Sequence, residues 1–121
     1  MIARRLAFKI LVVVFGAAAL FHLAAVFDRT MDPSSPAWRH ALFVGLNLAC
    51  AAGFATRPPP FVPLFGLLVA QQLVSHGAAA WHAWYEGGRV DVTSLGVVVL
   101  MPLAFALLLL DRKKSRPLAT H

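Results

Sequence analysis

Four apolar runs separated by short polar breaks make up most of this chain. They cover residues 10–27, 37–56, 61–85 and 93–110. A helix that crosses a bilayer needs about 20 mostly apolar residues. Each run is close to that length or beyond it. Lys9 sits just ahead of the first run and can snorkel outward, so the first helix is predicted over 6–27. That run is longer than the apolar region of a secretory signal and no clean cleavage site closes it, so an uncleaved helix is expected. Arg4 and Arg5 echo a twin-arginine signal without the rest of that pattern.

The breaks are set by residues that cannot continue a membrane helix. Residues 28–36 read DRTMDPSSP, a turn-rich loop. Ser35 is the expected N-cap of the second helix and Pro36 suits its first turn. Arg57, Pro58, Pro59 and Pro60 make a rigid link into the third helix, where Pro63 falls in the first turn. Residues 86–91, EGGRVD, form the last turn, with Thr93 or Ser94 as the expected cap of the fourth helix. That helix has no polar side chain from Leu95 to Leu110, and Pro102 should kink it. It is expected to be the most lipid-exposed helix or merely a covering one. Residues 111–116 stop transfer, and residues 118–121 read as a frayed tail.

The third run differs from its neighbours. It holds no Asp, Glu, Lys or Arg, yet carries Gln71, Gln72, Ser75, His76 and His82. At about 100° per residue these five fall in one arc of about 140°. Lipid offers no hydrogen-bond partner, so that arc should face protein, water or a ligand. In the second run His40 and Asn47 share a face, and Gly45, Ala49 and Gly53 form a ridge of small residues that would let another helix approach.

Charge orders the helices. With both termini inside, the inner side holds Arg4, Arg5, Lys9, Arg57, Arg112, Lys113, Lys114 and Arg116, and the outer side Arg29, Arg39 and Arg89. Eight against three favours cytoplasmic termini. Asp28, Asp32, Glu86 and Asp91 fall outside, and Asp111 inside. The net charge of +6 sits at segment ends, and no basic face with interleaved aromatics remains for nucleic acid. Sixty per cent hydrophobic and 13% charged residues exclude an ordinary soluble domain, and 121 residues leave room for one integral membrane domain. A single cysteine, Cys50, rules out an internal disulfide and CxxC chemistry. The sequence shows no internal repeat of the inverted-transporter type.

This topology brings His22, His40, His76 and His82, from three helices, into the outer half. Histidine is the commonest metal ligand and also ligates haem. Metal ligands are therefore sought at His22, His76, His82 and His40, with haem b or a transition metal as the cofactor. A cofactor would be held by His22, His76, His82, Gln72 and Asn47, and a lipophilic molecule such as a quinone by Gln72, His76 and Asn47 as polar anchors. The plainer alternative makes His40 and His82 interfacial, with their tips in water, and makes the amides and serine interhelical glue. No nucleophile elbow surrounds Ser75 and no carboxylate accompanies it, so no catalytic residue is assigned.

In size and topology, four short spans with both ends inside, the chain resembles the DoxX-like and other small bacterial membrane-protein families. The resemblance implies a bacterial inner-membrane protein and no particular site residue. The expected fold is an all-α four-transmembrane-helix bundle with cytoplasmic termini. The expected function is that of a non-catalytic subunit or accessory protein with a polar pocket opening to the periplasm. Its expected partners are the lipid bilayer and either further copies of itself or a larger membrane complex. Redox or metal handling is the alternative, and binding of a quinone-like molecule the second.

Overall fold

The computed structural model describes residues 2–115, without the side chains of Lys114 and Ser115. Arg116 and the expected frayed tail at 118–121 lie outside the described residues. Among the described residues there are four α-helices and no strand: α1 Ile2–Phe27, α2 Ala37–Thr56, α3 Phe61–Tyr85 and α4 Val92–Ser115. Helices α1, α3 and α4 are long and apolar enough to cross a membrane, which is consistent with a multi-pass membrane protein. Helix α2 is not among them. Its 20 residues include Arg39, His40 and Asn47, which lower its hydropathy.

The prolines mark the ends of α2 and α3 where expected. Pro36 is the N-cap of α2, in extended conformation with no side-chain cap bond, so Ser35 does not cap this helix. Pro60 takes the same place before α3. Arg57 ends α2 at φ 51°, in the left-handed region, and its N–H donates to the Gly53 carbonyl at 2.7 Å. A non-glycine residue there carries strain of roughly 1 kcal/mol or more. The Arg57 guanidinium lies over the Phe8 ring, 4.8 Å from its centre, and that contact offsets part of the strain. Helices α1 and α4 run past the apolar limits, to Ile2 and Ser115. Charged residues mark where lipid ends, and a helix does not have to stop there. Helix α4 continues through Pro102. The apolar stretches of α1, α3 and α4 bury the same share, 22%, so α4 is no more exposed than the other two.

The chain divides into two compact units between Pro58 and Pro59. Each is a helical hairpin, α1 with α2 and α3 with α4.

In the first hairpin α1 buries Phe8, Leu11, Phe15, Ala19 and Ala25, one stripe at helical spacing. Against it α2 sets His40, Cys50, Gly53 and Phe54. Phe54, 1% exposed, stacks on Phe15 at 5.4 Å and tilts against Phe8 at 6.3 Å. Of the small-residue ridge only Gly53 is buried. Gly45 and Ala49 are exposed, and a Cβ on Gly45 would meet nothing within 4 Å. The ridge therefore does not draw α1 and α2 together.

In the second hairpin α3 buries Phe61, Phe65, Val69, Gln72 and Ala83, and α4 buries Ser94, Met101, Ala104 and Leu108. The close approach is at Gly66, where a Cβ would lie 3.0 Å from Cζ and 3.2 Å from Cε2 of Phe105. Gly66→Leu is expected to lower stability by roughly 1–3 kcal/mol through overpacking. Gly66→Ala should change it less, because the ring needs to move only a little and alanine favours the helix by up to about 1 kcal/mol. Unfolding of both variants in mixed micelles checks this, and a leucine variant as stable as wild type would contradict the contact.

Candidate functional site

The polar residues that sequence placed inside the membrane find partners within their own hairpins. In the first hairpin the loop 28–36 is built on two Asx turns. Asp28 Oδ1 accepts the Thr30 N–H and hydroxyl, at 3.0 and 2.6 Å, and Asp32 Oδ1 accepts the same pair from Ser34, at 3.2 and 2.6 Å. The Thr30 side chain and then its backbone hold the Asp28 carboxyl below its ordinary value. For Asp32, the Ser34 and Ser35 side chains do so first and His40 least.

This tight turn sets the register between α1 and α2. It brings His22 and His40, 18 residues apart in the chain, to 2.9 Å between their Nδ1 atoms. The ring centres are 5.2 Å apart. That is the nitrogen–nitrogen distance extended by the two ring radii, so the two Nδ1 atoms point straight at each other. One proton lies between them. Phe43 stacks on His22 at 5.2 Å and Phe21 meets its edge at 5.4 Å, so the imidazole is held by aromatic faces. Arg39 lies over the Phe43 ring at 5.9 Å.

His40 is 2% exposed. The reading of this residue as interfacial, with its tip in water, is therefore corrected. Its Nε2 is buried with no hydrogen bond, and Asp32 Oδ2 stands 3.6 Å from it. Asn47, on the same helix, donates to the Phe43 carbonyl at 2.8 Å.

In the second hairpin the arc on α3 divides. Gln72 is buried and Ser75 and His76 are half-buried, whereas Gln71 and His82 are exposed. Helix α4 covers only the first part of the arc. Gln72 Nε2 donates to Gln71 Oε1 at 2.6 Å and Ser75 Oγ to the Gln72 carbonyl at 3.4 Å. His82 bonds Glu86 one turn on, at 2.8 Å, in solvent.

His76 meets Ser94, again 18 residues later, with 3.1 Å between Nδ1 and Oγ. Ser94 is 3% exposed. Its hydroxyl donates to Asp91 Oδ2 at 2.7 Å, while its N–H donates to Asp91 Oδ1 at 3.0 Å. The serine hydroxyl has one proton and gives it to Asp91. Its oxygen must therefore accept from His76, which fixes the proton of that ring on Nδ1. Asp91, and not Thr93 or Ser94, caps α4. The Ser94 backbone N–H, ahead of the Ser94 hydroxyl, holds the Asp91 carboxyl low.

The preceding turn allows this. A Cβ on Gly87 would lie 2.9 Å from the Ala83 carbonyl oxygen, and Gly88 takes φ 57°. The chain folds back here, with Gly88 and Arg89 N–H donating to the carbonyls of Trp84 and Ala83 at 3.1 and 3.0 Å.

The two hairpins share a register that residue identities conceal. One constant displacement along the chain carries His22 to His76, His40 to Ser94, Leu11 to Phe65, Phe15 to Val69, Cys50 to Ala104 and Phe54 to Leu108. The first two pairs are the polar contacts. The other four pairs are buried in both hairpins. The correspondence runs along the sequence, α1 with α3 and α2 with α4.

Of the residues sought as ligands, the structure brings His22 and His40 together. It gives His76 and His82 separate partners on their own hairpin, Ser94 and Glu86. Among the described residues no group of three or more His, Cys, Asp or Glu side chains is placed to hold a metal ion. The partners that sequence missed are Ser94 for His76 and Asp32 for His40. The available signal for the His22–His40 pair was that both lie within two turns of the loop, six residues before Asp28 and four after Pro36. Ser94 gave none, because α3 overshoots the start of α4. No family model, no curated protein and no solved structure matches the chain.

Proposed function

We propose that this chain is a small polytopic protein of a bacterial inner membrane, with four spans and cytoplasmic termini, working as a non-catalytic subunit or accessory of a larger membrane assembly or homo-oligomer. The observation that carries this reading is that His22, His40, Asn47 and His76 each bond within their own hairpin. Interhelical and backbone bonds of this kind hold membrane helices together, each worth roughly 0.6–2 kcal/mol. The polar side chains thus serve the packing of each hairpin.

A fourth span at α2 is supported by its packing. Phe54 meets Phe8 near the start of α1, and His40 meets His22 near its end, so α2 runs antiparallel along most of a helix long enough to cross. The excess of basic residues at the inner ends supports the orientation. Extraction from native membranes in mild detergent, followed by mass determination of the intact particle, tests the reading. The expected result is a stable particle larger than one chain. A homogeneous monomer that retains its fold would overturn it.

A further inference from the structure

The bonds that close the outer end of the first hairpin form a connected path from a loop carboxylate to an imidazole on α1. Asp32 Oδ2 faces the buried His40 Nε2 at 3.6 Å, and His40 Nδ1 meets His22 Nδ1 head-on at 2.9 Å. We propose that Asp32, His40 and His22 are a proton relay between the membrane-embedded part of α1 and the water over loop 28–36. The proposal goes beyond a packing role, and takes only its direction, outward, from the proposed topology.

The protonation states follow from the partners. A carboxylate is an acceptor only, so the His40 nitrogen beside Asp32 carries the proton. His40 Nδ1 is then a bare lone pair, and His22 Nδ1–H donates to it. His22 Nε2 is the entry. A proton bound there makes His22 an imidazolium, which passes its Nδ1 proton to His40. His40 in turn gives its Nε2 proton to Asp32, and the carboxyl releases it to water. One proton enters at His22 Nε2 and one leaves at Asp32. The covalent frame is unchanged; each passage leaves the opposite tautomers, His22 protonated on Nε2 and His40 on Nδ1, and the return of a proton from Asp32 through His40 to His22 restores the starting ones. The charged groups near the pair are Asp32 and Arg39, on the loop and on α2. No redox partner is needed for the transfer.

Two observations separate this from a simple structural bond. The first is the buried Nε2 of His40, which has no hydrogen bond yet stands near a carboxylate. A bond made only for stability would leave no such donor at the path's end, since a buried unpaired group costs roughly 1–3 kcal/mol. The second is recurrence. In the second hairpin the corresponding pair, His76 and Ser94, also connects to a carboxylate, Asp91, which stands at a different register from Asp32, giving a chain of carboxylate, hydroxyl and imidazole. Chains of carboxylates and imidazoles within membrane helices mark proton paths in pumps and transporters.

The test uses full-length protein with nitrogen-15-labelled histidine in lipid bilayers. The expected wild-type signature is a scalar coupling between the two Nδ1 atoms, with His22 protonated on Nδ1 and His40 on Nε2. Exchange of the bridging proton with water is then timed. Asp32→Asn retains an acceptor for the Ser34 bonds but cannot take a proton, and should slow this exchange at least about tenfold while leaving the coupling. Asp28→Asn, altered in the neighbouring turn, should leave both unchanged. An unchanged exchange rate in Asp32→Asn would make the pair a structural bond and overturn the relay. So would absence of the coupling in wild type. Loss of the coupling in Asp32→Asn would also overturn it, because the carboxylate would then be a clamp and not a conduit. None of these outcomes depends on whether the particle is a monomer, so the relay and the subunit reading fail separately.

Discussion

Phe54→Ala is expected to destabilise the first hairpin by about 2–3 kcal/mol. Phe54 is 1% exposed and fills the space between Phe15 and Phe8. In a water-soluble protein such a truncation costs about 3–5 kcal/mol, of which part is transfer of the ring from water and part is the cavity left behind. Between membrane helices the transfer part falls away, because lipid tails are as apolar as the ring. The cavity and the lost dispersion contacts remain, as does the aromatic pairing of roughly 0.5–1.5 kcal/mol. Hence the lower figure. Phe27, 82% exposed at the end of α1, is the control, and Phe27→Ala should change stability by less than about 0.5 kcal/mol. Titration with a denaturing detergent in mixed micelles measures both. Equal effects at the two positions would mean that Phe54 is solvated by lipid and that α2 does not pack as described.

What could be read in the chain divides along a physical line. Helix α2 begins and ends, and α3 begins, where the prolines at 36 and 58–60 fix them, because a proline constrains backbone locally. The outer limits of α1 and α4 were legible only as limits of the apolar run. The helices continue into the charged residues, since arginine and lysine are good helix formers. The position of each histidine along its helix was legible from residue counting. Partnership was not. His40 beside Trp38 and Arg39 reads as interfacial by local context, yet the loop from Asp28 to Pro36 sets a register that turns it onto His22. Likewise His76 lies deeper in α3 than Ser94 does in α4, and only the reversal at Gly88 returns the chain far enough for them to meet. An arc on a helix wheel states which side chains share a side. It does not state how much of that side a neighbour covers, which is why Gln72 is buried and Gln71 exposed.

His22→Ala should cost more than the loss of one hydrogen bond. The bond itself, between helices in a membrane, is worth roughly 0.6–2 kcal/mol. The substitution also leaves His40 in place, 2% exposed, with Nε2 already lacking a hydrogen bond and Nδ1 now lacking one too. An unsatisfied buried group costs roughly 1–3 kcal/mol, so a total of about 2 kcal/mol is expected. Replacing His40 as well, in His22→Ala with His40→Leu, removes the stranded group and should recover about 1 kcal/mol despite the second change. The coupling energy follows when the effect of His40→Leu alone is measured as well, as the effect of the double variant less the sum of the two single effects. Phe43, stacked on the His22 ring, loses the same contact in both the single and the double variant, so its contribution cancels from the cycle. Additive effects of the two substitutions would show that the imidazoles do not share a proton. A double variant more stable than His22→Ala, with the parent more stable than either, would mean that the hairpin draws part of its stability from a buried polar pair that is tolerated only when both partners are present.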